Sequence, residues 1–489
     1  MTEPFVVVGG DAGGLSAASK FVRESAGDSD DHVPATEREV IVFERGQWVS
    51  YAHCGTPYFV KGEIDHLSDL LSLSPDDVES RGIDLRRGHE VVGIDTDAET
   101  VTVAGPSGDR HTQSYGDLLL ATGARAITDP IPGTDADAAF TIHGLDSAAG
   151  LRALLTPVDD FSVADLGGGD ALDSEEAARY GAMDPPETVA VVGGGYVGIE
   201  MCEALAAWDV DVHLFQRADH VLPAFGEAVA EVVEEHLREQ GITLHLGEAV
   251  DHLEQDETGR VSRLVCTGGT ELAVGAAVVG VGVRPNVELA EGTDIELGES
   301  GAIATDEFGR TSVAGVYAVG DCAEMHHVVT GDPAWVPLGL TANRAGRAVG
   351  QTVAGDRTEV GGIAGTAVLK AFEQECGRSG ITDLAEAREA GFDPVAKTIT
   401  AGSRSGYYPG SEETTVRLVA DRETGRLLGG SIVGRDRAAI RIDTVATALE
   451  AGMTVGEVER LDLAYAPPFS PVWDPVLVCA KVLAGALSE

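Results

Sequence analysis

The first half of the chain alternates between short apolar runs, glycine-rich turns and helix-like stretches. An apolar run at 5–8 is followed by a glycine turn at 9–14, a helical pattern from about Leu15 and a second apolar run at 40–43. This order predicts a strand, a turn, a helix and a second strand, which together form a βαβ unit. The polar stretch at 27–39 predicts a surface loop between the helix and the second strand.

A second unit of the same kind begins at 189. Its apolar strand at 189–192 leads into a glycine turn at 193–198, a helix at 199–207 and another strand at 210–215. The stretch before it, 156–187, is rich in Asp, Gly, Ala and Pro. We interpret that stretch as an acidic insertion or a linker between domains.

The pattern changes near 358. Strand-like runs at 414–419 and 427–433 mix with helical stretches such as 438–450, and this region has no glycine turn of the nucleotide-binding kind. The pattern predicts a third domain of the α+β class. A chain of 489 residues is too long for a single core, which agrees with two or three domains.

The net charge of this chain has the opposite sign to that expected of a nucleic-acid-binding protein. It has 81 acidic and 34 basic residues, a formal net charge of −47, and only five of the basic residues are lysines. Nucleic-acid binding requires basic patches, so this function is excluded. High salt screens the repulsion on so acidic a surface, and we interpret the protein as salt-adapted and halophile-like. A surface for a basic partner is the alternative, which the even spread of the acids disfavours.

The sequence predicts neither a membrane protein nor a secreted one. No apolar run reaches about 18 residues, the length at which a bilayer span becomes possible. Residues 1–8 lack the basic region of a signal peptide, and the six cysteines lack the spacing of zinc ligands or of a neighbouring dithiol. We therefore expect a cytoplasmic protein with reduced thiols and no structural metal ion.

The two glycine turns carry the clearest chemistry. A turn of small residues between a strand and a helix lets the backbone approach a diphosphate, whose charge then meets the N–H groups at the helix N-terminus. Two such turns predict two dinucleotides, FAD in the first unit and a nicotinamide, NADPH or NADH, in the second. The predicted contacts are Gly9, Gly10, Ala12, Gly13 and Gly14 in the first turn, and Gly193, Gly195, Tyr196, Val197 and Gly198 in the second.

The residue that ends the second strand of each unit predicts how that unit binds a ribose. Glu44, followed by Arg45, suits a hydrogen bond to the FAD ribose, although Asp11 at the middle glycine position departs from the usual turn. In the second unit the matching position is Gln216, followed by Arg217. Gln216 does not repel a 2′-phosphate and Arg217 can bind one, so NADPH is favoured, with NADH or both left open.

Two further segments extend the predicted FAD site. One apolar strand ends at Thr122 and Gly123, and another leads to Gly320 and Asp321, whose carboxylate suits the FAD ribityl chain. Gly282 is the last of the predicted cofactor contacts.

The segment around Cys54 carries a resemblance to a known family. Residues 50–58 read S-Y-A-H-C-G-T-P-Y, which is similar to the S-F-x-x-C-G-x-P-Y segment around the single redox cysteine of coenzyme A disulfide reductases. With its two dinucleotide units, the chain resembles the pyridine nucleotide-disulfide oxidoreductases, to which those reductases belong, over nearly its whole length.

The resemblance implies an α/β fold with two Rossmann-like domains, for FAD and NAD(P), and a C-terminal α+β dimerisation domain that makes a homodimer. The implied boundaries are 1–150 and 281–355 for the FAD-binding domain, 151–280 for the NAD(P)-binding domain and 356–489 for the dimerisation domain.

Two tyrosines are implied to assist the thiol chemistry. Residues 407–410 resemble the second part of the family's N-Y-Y-P-G segment, and residues 463–470 resemble its Y-A-P-P-Y-S segment. In the family, one tyrosine from each segment reaches the thiol site of the other subunit, and these positions correspond to Tyr407 and Tyr465. The resemblance implies that they hydrogen-bond the substrate sulfur or stabilise the departing thiolate.

The resemblance also implies residues that bind coenzyme A. Arg23 stands where the family has a CoA-contacting arginine, and Lys20 lies one turn earlier on the same helix. Ser50 and His53 lie in the thiol segment, where His53 lowers the pKa of Cys54, takes part in proton transfer, or points away. Weaker candidates for the phosphate charges are Lys61, Arg437 and Arg441.

The expected activity is NAD(P)H-dependent, FAD-mediated reduction of coenzyme A disulfide, or of a related small disulfide, at Cys54. This requires a lowered pKa of Cys54, because only the thiolate is nucleophilic. Related NADH oxidases and peroxidases carry a histidine at the position of Ala12, so peroxide chemistry is disfavoured. The alternatives are an NADH oxidase, a persulfide or polysulfide reductase (disfavoured because no rhodanese domain is appended), and, remotely, a flavoprotein redox sensor without turnover.

Overall fold

A computed structural model of the protein describes residues 3–25 and 38–487. Residues 27–37 of the predicted surface loop lie outside the described residues. The fold consists of parallel sheets with helices against them, followed by an antiparallel sheet domain, which confirms the predicted α/β class.

The first segment contains eight strands and three helices. They are β1 Phe5–Val8, α1 Ala12–Ser25, β2 Val40–Glu44, α2 Thr56–Lys61, α3 Pro75–Ser80, β3 Asp84–Arg87, β4 Glu90–Asp95, β5 Thr100–Ala104, β6 Arg110–Ser114, β7 Asp117–Leu120 and β8 Ala124–Ala126.

The second segment contains the other glycine turn. Its elements are β9 Ala139–Phe140, α4 Leu145–Leu155, α5 Ser174–Gly181, β10 Thr188–Val192, α6 Tyr196–Ala206, β11 Asp211–Gln216, α7 Glu227–Glu239, β12 Thr243–Leu246, β13 Val250–Gln255, β14 Val261–Cys266, β15 Glu271–Ala273 and β16 Ala276–Val279.

The remaining elements fall into a short return segment and the C-terminal domain. The return segment has β17 Val283–Pro285, β18 Val316–Ala318, β19 Met325–His326, β20 Pro333–Ala334 and α8 Gly339–Val353. The C-terminal domain has β21 Ala367–Ala371, β22 Gln374–Gly380, α9 Leu384–Glu389, β23 Pro394–Gly402, β24 Glu413–Asp421, β25 Leu427–Gly434, α10 Ile442–Glu450, α11 Val455–Val458 and α12 Pro475–Leu487.

The first sheet has the order β18-β7-β1-β2-β3, and all of its strand pairs are parallel. Its central strand β1 is apolar at every position because helices and a small antiparallel sheet cover both faces. Helix α8 packs closely on α1, since a Cβ on Gly346 would come within 2.1 Å of the carbonyl oxygen of Gly13. The strand β18 returns to this sheet from the third segment, as the resemblance implied.

The second sheet has the order β12-β11-β10-β16-β9 and is also parallel. The stretch 156–187, which we interpreted as an insertion or linker, is folded against the core of this domain. Leu166, Leu172 and Tyr180 of that stretch are buried, and the Tyr180 ring lies 5.0 Å from the ring of Phe140. The few apolar side chains of this stretch therefore anchor it to the domain core. Its acidic composition gave no sign of this packing in the sequence.

The C-terminal domain is a five-stranded antiparallel sheet of order β21-β22-β25-β24-β23. Helices α10 and α12 pack on it and form a separate core with residues such as Leu418, Ile432 and Leu483. Across the described ranges, 3–25 and 38–487, we find no helix with the length and apolar character that a membrane crossing requires.

Candidate functional site

The carboxyl ends of four parallel strands meet at one edge of the first sheet. The glycine turn follows β1, Glu44 ends β2, Thr122 and Gly123 follow β7, and Asp321 follows β18. This edge, where the strands lead into helix N-termini, is where dinucleotides bind in folds of this type. The structure therefore brings together residues that the sequence assigned separately to one site.

The first glycine turn allows close backbone packing. Gly9 has φ +112°, and a Cβ there would lie 2.1 Å from the carbonyl oxygen of Ala121. A Cβ on Gly14 would lie 1.9 Å from the carbonyl oxygen of Gly9. Larger residues would push the strand and helix α1 apart.

Glu44 ties the glycine turn to the second strand. Its Oε2 accepts a hydrogen bond from the N–H of Gly10 at 2.8 Å, and its Oε1 accepts one from Gly46 at 2.7 Å. The carboxylate is thus held beside the turn, at the position predicted to face a ribose, while Arg45 is exposed next to it.

Asp321 lies in a protected position at the same edge. Burial raises its pKa to about 6, with His53 lowering and Asp11 raising it to smaller extents. Gly320, which precedes Asp321, has φ +76°. The indole N–H of Trp335 donates a hydrogen bond to the backbone oxygen of Asp321 at 2.9 Å. The hydroxyl of Thr122 donates a hydrogen bond to the backbone oxygen of Asn286, the residue after β17. The N–H of Asn286 donates one to the backbone oxygen of Gly123.

These residues fit FAD. The glycine turn leaves the first N–H groups of the 14-residue helix α1 without intrahelical partners, as a diphosphate requires. Glu44 offers a carboxylate beside the turn. Asp321 offers a second carboxylate, which burial shields from water. The predicted roles of Gly9, Gly10, Ala12, Gly13 and Gly14 are consistent with this geometry and stay predictions.

The second glycine turn repeats this arrangement with more open space. Gly193 has φ +106°, and a Cβ on Gly198 would lie 1.8 Å from the carbonyl oxygen of Gly193. A Cβ on Gly195 would instead meet no atom within 4 Å. Gln216 accepts a hydrogen bond from the N–H of Gly194 at 3.2 Å, as Glu44 does in the first unit.

The other predicted nicotinamide contacts lie around this turn. Tyr196 begins α6, and burial raises its pKa. Val197 and Arg217 are exposed, and Gly282 has φ +117° just before β17. Their surfaces are available to a dinucleotide, and their binding roles stay predictions.

Cys54 lies in the first Rossmann-like domain, in the short connection from β2 to α2, and α2 packs on helices α4 and α6 of the second domain. A 3₁₀ turn, His53–Gly55, carries the thiol and runs directly into α2. The segment is pinned by hydrogen bonds from Ala52 N to Leu70 O at 2.8 Å and from Ser72 N to Ser50 O at 2.7 Å. Ser50 itself has φ +52°, an unusual value for a residue with a side chain.

Cys54 differs from the other cysteines in exposure. It is exposed, and the other five are buried. Burial raises the pKa of those five thiols, to about 11 for Cys266 and about 12 for Cys376 and Cys479. A buried thiol that stays protonated is inert, so Cys54 is the reactive candidate.

The protein alone does not lower the pKa of Cys54. Partial burial raises it, and the nearby carboxylates of Glu200 and Asp321 raise it further, against one hydrogen bond from the backbone. The lowered pKa expected from the sequence is therefore wrong for the protein groups by themselves.

Sequence reasoning missed Glu200 and Tyr58, which border the thiol. Helix α6 packs on α2, and the carboxyl of Glu200 hydrogen-bonds with Tyr58. Burial and then Glu203 raise the pKa of Glu200 to about 7, and burial and then Glu200 raise that of Tyr58 to about 12. The available signal was two acids in the otherwise apolar helix α6.

Lys61 does not offer its charge to a substrate. Its Nζ donates to Glu203 Oε1 at 2.8 Å, and Lys370 Nζ donates to the same oxygen at 3.0 Å. The N–H of Phe372 donates to the other oxygen of Glu203 at 2.7 Å. Glu203 thus joins α2, α6 and the C-terminal sheet, and Lys61 is structural.

The two predicted substrate cations on α1 differ. Lys20 is buried and forms an ion pair with Glu24 one turn later. Arg23 is exposed near the end of the helix. Within residues 3–25 and 38–487 Arg23 has no ion-pair partner, whereas the charge of Lys20 is paired with Glu24.

Tyr407 and Tyr465 come together at the surface of the C-terminal domain. A hydrogen bond with Tyr407 raises the pKa of Tyr465, and Ser405 hydrogen-bonds with Tyr465 as well. The side chains are 76% and 49% exposed. Among the described residues, no hydrogen bond joins them to the thiol segment of the same chain.

Arg441 holds the two tyrosine loops together and is not a substrate contact. It is buried, and its guanidinium pairs with Asp474 at 2.9 Å. It also donates to the backbone oxygens of Ser403 at 2.8 Å and Phe469 at 3.3 Å, one in each loop. The suggested contact between Arg441 and coenzyme A is therefore wrong, because the side chain is already satisfied inside the domain.

Comparison with known proteins gives the family. Residues 3–342 match the pyridine nucleotide-disulphide oxidoreductase family, and residues 366–475 match its dimerisation domain. The chain belongs to this family. It is accordingly an NAD(P)H-dependent flavin oxidoreductase whose cofactors are FAD and NADH or NADPH.

Its relatives in this family differ in the activity that their names give. The NAD(P)H coenzyme A polysulfide/persulfide reductase of Pyrococcus horikoshii is 38% identical over 486 residues, 99% of this chain and 99% of the relative. The NADH oxidase of Methanocaldococcus jannaschii is 28% identical over 478 residues, 97% of each chain. The coenzyme A disulfide reductase of Staphylococcus haemolyticus is 27% identical over 472 residues, 95% of this chain and 96% of the relative.

A solved structure shows the same fold over nearly the whole chain. The NAD-dependent persulfide reductase from A. fulgidus superposes with a TM-score of 0.88 at 32% identity, covering 99% of this chain and 83% of that one. The family resemblance seen in the sequence is confirmed.

Proposed function

We propose that this oxidoreductase reduces the sulfur–sulfur bond of coenzyme A disulfide, or of a related small disulfide or persulfide, through Cys54. The observation that carries the proposal is the contrast among its thiols. One cysteine is exposed and lies near enough to Asp321 of the first sheet's edge and to Glu200 of helix α6 to be influenced by both, whereas the other five are buried. A single reactive thiol needs a second sulfur from outside the protein.

The reaction balances with two electrons from NAD(P)H. The Cys54 thiolate attacks one sulfur of RS–SR′, forms the mixed disulfide Cys54–S–SR and releases R′S⁻, which takes up a proton. Two electrons then break the mixed disulfide, restore the Cys54 thiolate and release RS⁻. When bound, FAD supplies the path by which the hydride's electrons reach the sulfur.

The C-terminal domain supports a homodimer with a shared site. Its surface exposes a group of large apolar side chains close to the tyrosine loops: Tyr407, Tyr465, Phe469, Val472 and Trp473. Isolated soluble surfaces rarely expose such a group unless a partner covers it. In the dimer that we propose, Tyr407 and Tyr465 hydrogen-bond the departing thiolate at Cys54 of the other subunit.

Substrate choice is the open step. Arg23 is the exposed cation that we propose for the phosphate groups of coenzyme A. A persulfide substrate is also supported, because the P. horikoshii coenzyme A polysulfide/persulfide reductase matches this chain over 99% of its own length. We therefore keep coenzyme A disulfide as the primary substrate and coenzyme A persulfide as its close alternative.

Different residues bear on the choice of nicotinamide and on the cellular compartment. Gln216 lacks the negative charge that repels a 2′-phosphate, and the exposed Arg217 attracts one, so we propose that NADPH is accepted. Six free cysteines suit a reducing cytoplasm.

The decisive test is anaerobic NAD(P)H oxidation with coenzyme A disulfide, coenzyme A persulfide or polysulfide, in high salt. We expect turnover in wild type and a loss of at least about a thousandfold in Cys54→Ser, because the nucleophile is removed. The matched control is Cys266→Ala, a buried thiol on β14, which should retain turnover. Equal turnover in wild type and Cys54→Ser would overturn the proposal, and NADH consumption that requires oxygen would indicate an oxidase.

A further inference from the structure

Two residues that lie far apart in the sequence meet in the structure. Asp11 stands at the middle glycine position of the usual dinucleotide turn, and His53 stands next to Cys54. Although 42 residues separate them, His53 Nε2 lies 2.5 Å from Asp11 Oδ2. The other oxygen, Oδ1, accepts a hydrogen bond from the backbone N–H of Tyr51 at 3.1 Å. Both carboxylate oxygens of Asp11 therefore bind the segment that carries Cys54.

The His53 ring is also held by its neighbours. The rings of Tyr51 and His53 lie 4.1 Å apart, and the ring of His143 lies 6.0 Å away. The charged or titratable groups that act on this cluster are Asp11, Glu44, Asp146, Asp321, His143 and Arg45. His53 is 45% exposed and Asp11 is 25% exposed, so the pair is accessible but not fully solvated.

The position of Asp11 explains why its contacts with the thiol segment matter. Asp11 directly precedes α1, whose N-terminus faces the place where a dinucleotide diphosphate would bind. A carboxylate free to turn toward that place would repel the diphosphate. The contacts of its two oxygens with the His53 ring and with the N–H of Tyr51 hold the Asp11 carboxylate on the thiol segment.

The backbone gives a second reason for a clamp at this point. Ser50, at φ +52°, directly precedes Tyr51, and its N–H donates to Gly10 O at 3.1 Å. A segment in an unfavourable conformation keeps it only if surrounding contacts fix it. Contacts from Gly10 and both oxygens of Asp11 fix this one onto the glycine turn.

We propose that Asp11 and His53 are a positioning pair that fixes the Cys54 segment on the glycine turn of the first dinucleotide site. Through this pair, the position of the Cys54 thiol depends on the conformation of the glycine turn at the first dinucleotide site. This inference rests on the proposed function insofar as Cys54 is the reacting thiol. The pair is a feature of this chain's own residues, and its two members act through the segment and not on the substrate.

The test uses Asp11→Asn, His53→Asn and the double variant. Asn at position 11 keeps an acceptor for the N–H of Tyr51 but loses the carboxylate oxygen that contacts His53 Nε2. Asp251→Asn is the matched control, because it breaks another Asp–His contact, His252 Nδ1 to Asp251 Oδ2 at 2.8 Å, on β13. The first readout is the alkylation rate of Cys54 by iodoacetamide, measured by peptide mass spectrometry with and without FAD. The second is the separation of kcat from KM.

We expect each single variant to raise the alkylation rate of Cys54 by about fivefold and to lower kcat by about tenfold, with the KM for NAD(P)H unchanged. The double variant should change no more than the larger single one, because both break the same contact. Asp251→Asn should match wild type in both readouts.

Wild-type alkylation rates in all three variants, or additive effects in the double variant, would overturn the inference. If Asp11→Asn fails to fold, as judged by its melting transition, His53→Asn decides the question alone, since His53 is the more exposed member of the pair. Failure of the proposed function is a separate result: it is read from Cys54→Ser, while the alkylation comparison needs no turnover.

Discussion

The two βαβ units of this protein share a backbone plan and differ in how their turns are closed. In each, the residue that ends the second strand accepts a hydrogen bond from the glycine turn, Glu44 from Gly10 at 2.8 Å and Gln216 from Gly194 at 3.2 Å. The first turn is further tied by Asp11 to the thiol segment. The second has open space at Gly195.

This difference indicates how similar turns serve two kinds of ligand. A turn that is locked on several sides suits a cofactor that stays bound through many reaction cycles. A turn with free space and an exposed cation, Arg217, suits a nicotinamide that enters and leaves. We therefore propose that the same strand-turn-helix pattern forms a resident site in the first unit and an exchanging site in the second, with side chains outside the pattern making the distinction.

The largest expected effect comes from adding one carbon to each turn. In Gly14→Ala the new Cβ would lie 1.9 Å from the carbonyl oxygen of Gly9, whereas Gly195→Ala places it in open space. We expect Gly14→Ala to lose FAD and all turnover, because such overpacking costs about 1–3 kcal/mol or more and displaces the turn. Gly195→Ala should keep its FAD. Flavin absorbance of the purified proteins measures both, and retention of FAD in Gly14→Ala would contradict the comparison.

The next largest effect concerns the contact between the units. Glu203 of the second unit's helix is 5% exposed and binds Lys61 and Lys370. Glu203→Gln leaves two lysines facing a neutral amide, and we expect a loss of about 3–5 kcal/mol in the free energy of unfolding. Urea denaturation measures it. Arg263→Gln, which breaks an exposed pair with Glu271, is the control and should lose less than about 1 kcal/mol.

The same contact predicts a pH dependence. Burial by itself would raise the pKa of Glu203, but hydrogen bonds from Lys61 and Lys370 hold it below its usual value. A lowered pKa stabilises the fold above the unfolded-state pKa, about 4.3, and this stabilisation is lost as the pH falls through the folded-state pKa. The stability gap between wild type and Glu203→Gln should therefore narrow below about pH 4. A gap that widens in acid would contradict this assignment.

A smaller effect tests nicotinamide selectivity. Gln216→Glu gives the second unit the acid that the first unit has in Glu44, and this acid should repel the 2′-phosphate of NADPH. We expect kcat/KM for NADPH to fall by about tenfold relative to NADH, which corresponds to about 1.4 kcal/mol. Initial-rate kinetics with both nicotinamides measures the ratio. An unchanged ratio would show that position 216 does not select the cofactor.

The smallest effect concerns the thiol between the units. The carboxylate of Glu200 adds to the burial that raises the pKa of Cys54. Glu200→Gln removes that charge, so the pH profile of Cys54 alkylation should move to lower pH. Glu235→Gln, on the exposed face of α7, should leave the profile in place. A profile that moves to higher pH in Glu200→Gln would contradict the assignment.

Local patterns in the sequence predicted the two dinucleotide units and the third domain, and the family resemblance of residues 50–58 singled out Cys54. Strand and helix periodicity, and the small residues that a tight turn needs, act over a few neighbouring residues. Glu44, Gln216 and Asp321 could be assigned to their turns for the same reason, because each directly ends or follows an apolar strand.

Only the tertiary structure decided which polar groups pair and which are free. In the folded protein His53 contacts Asp11, and Lys61 forms an ion pair with Glu203. Arg441 is buried between two loops, and 156–187 packs on the second domain. The tertiary structure also placed Glu200 near Cys54, so that protein groups raise the thiol pKa. These outcomes depend on burial and on contacts between distant segments, and both arise only when the domains pack together.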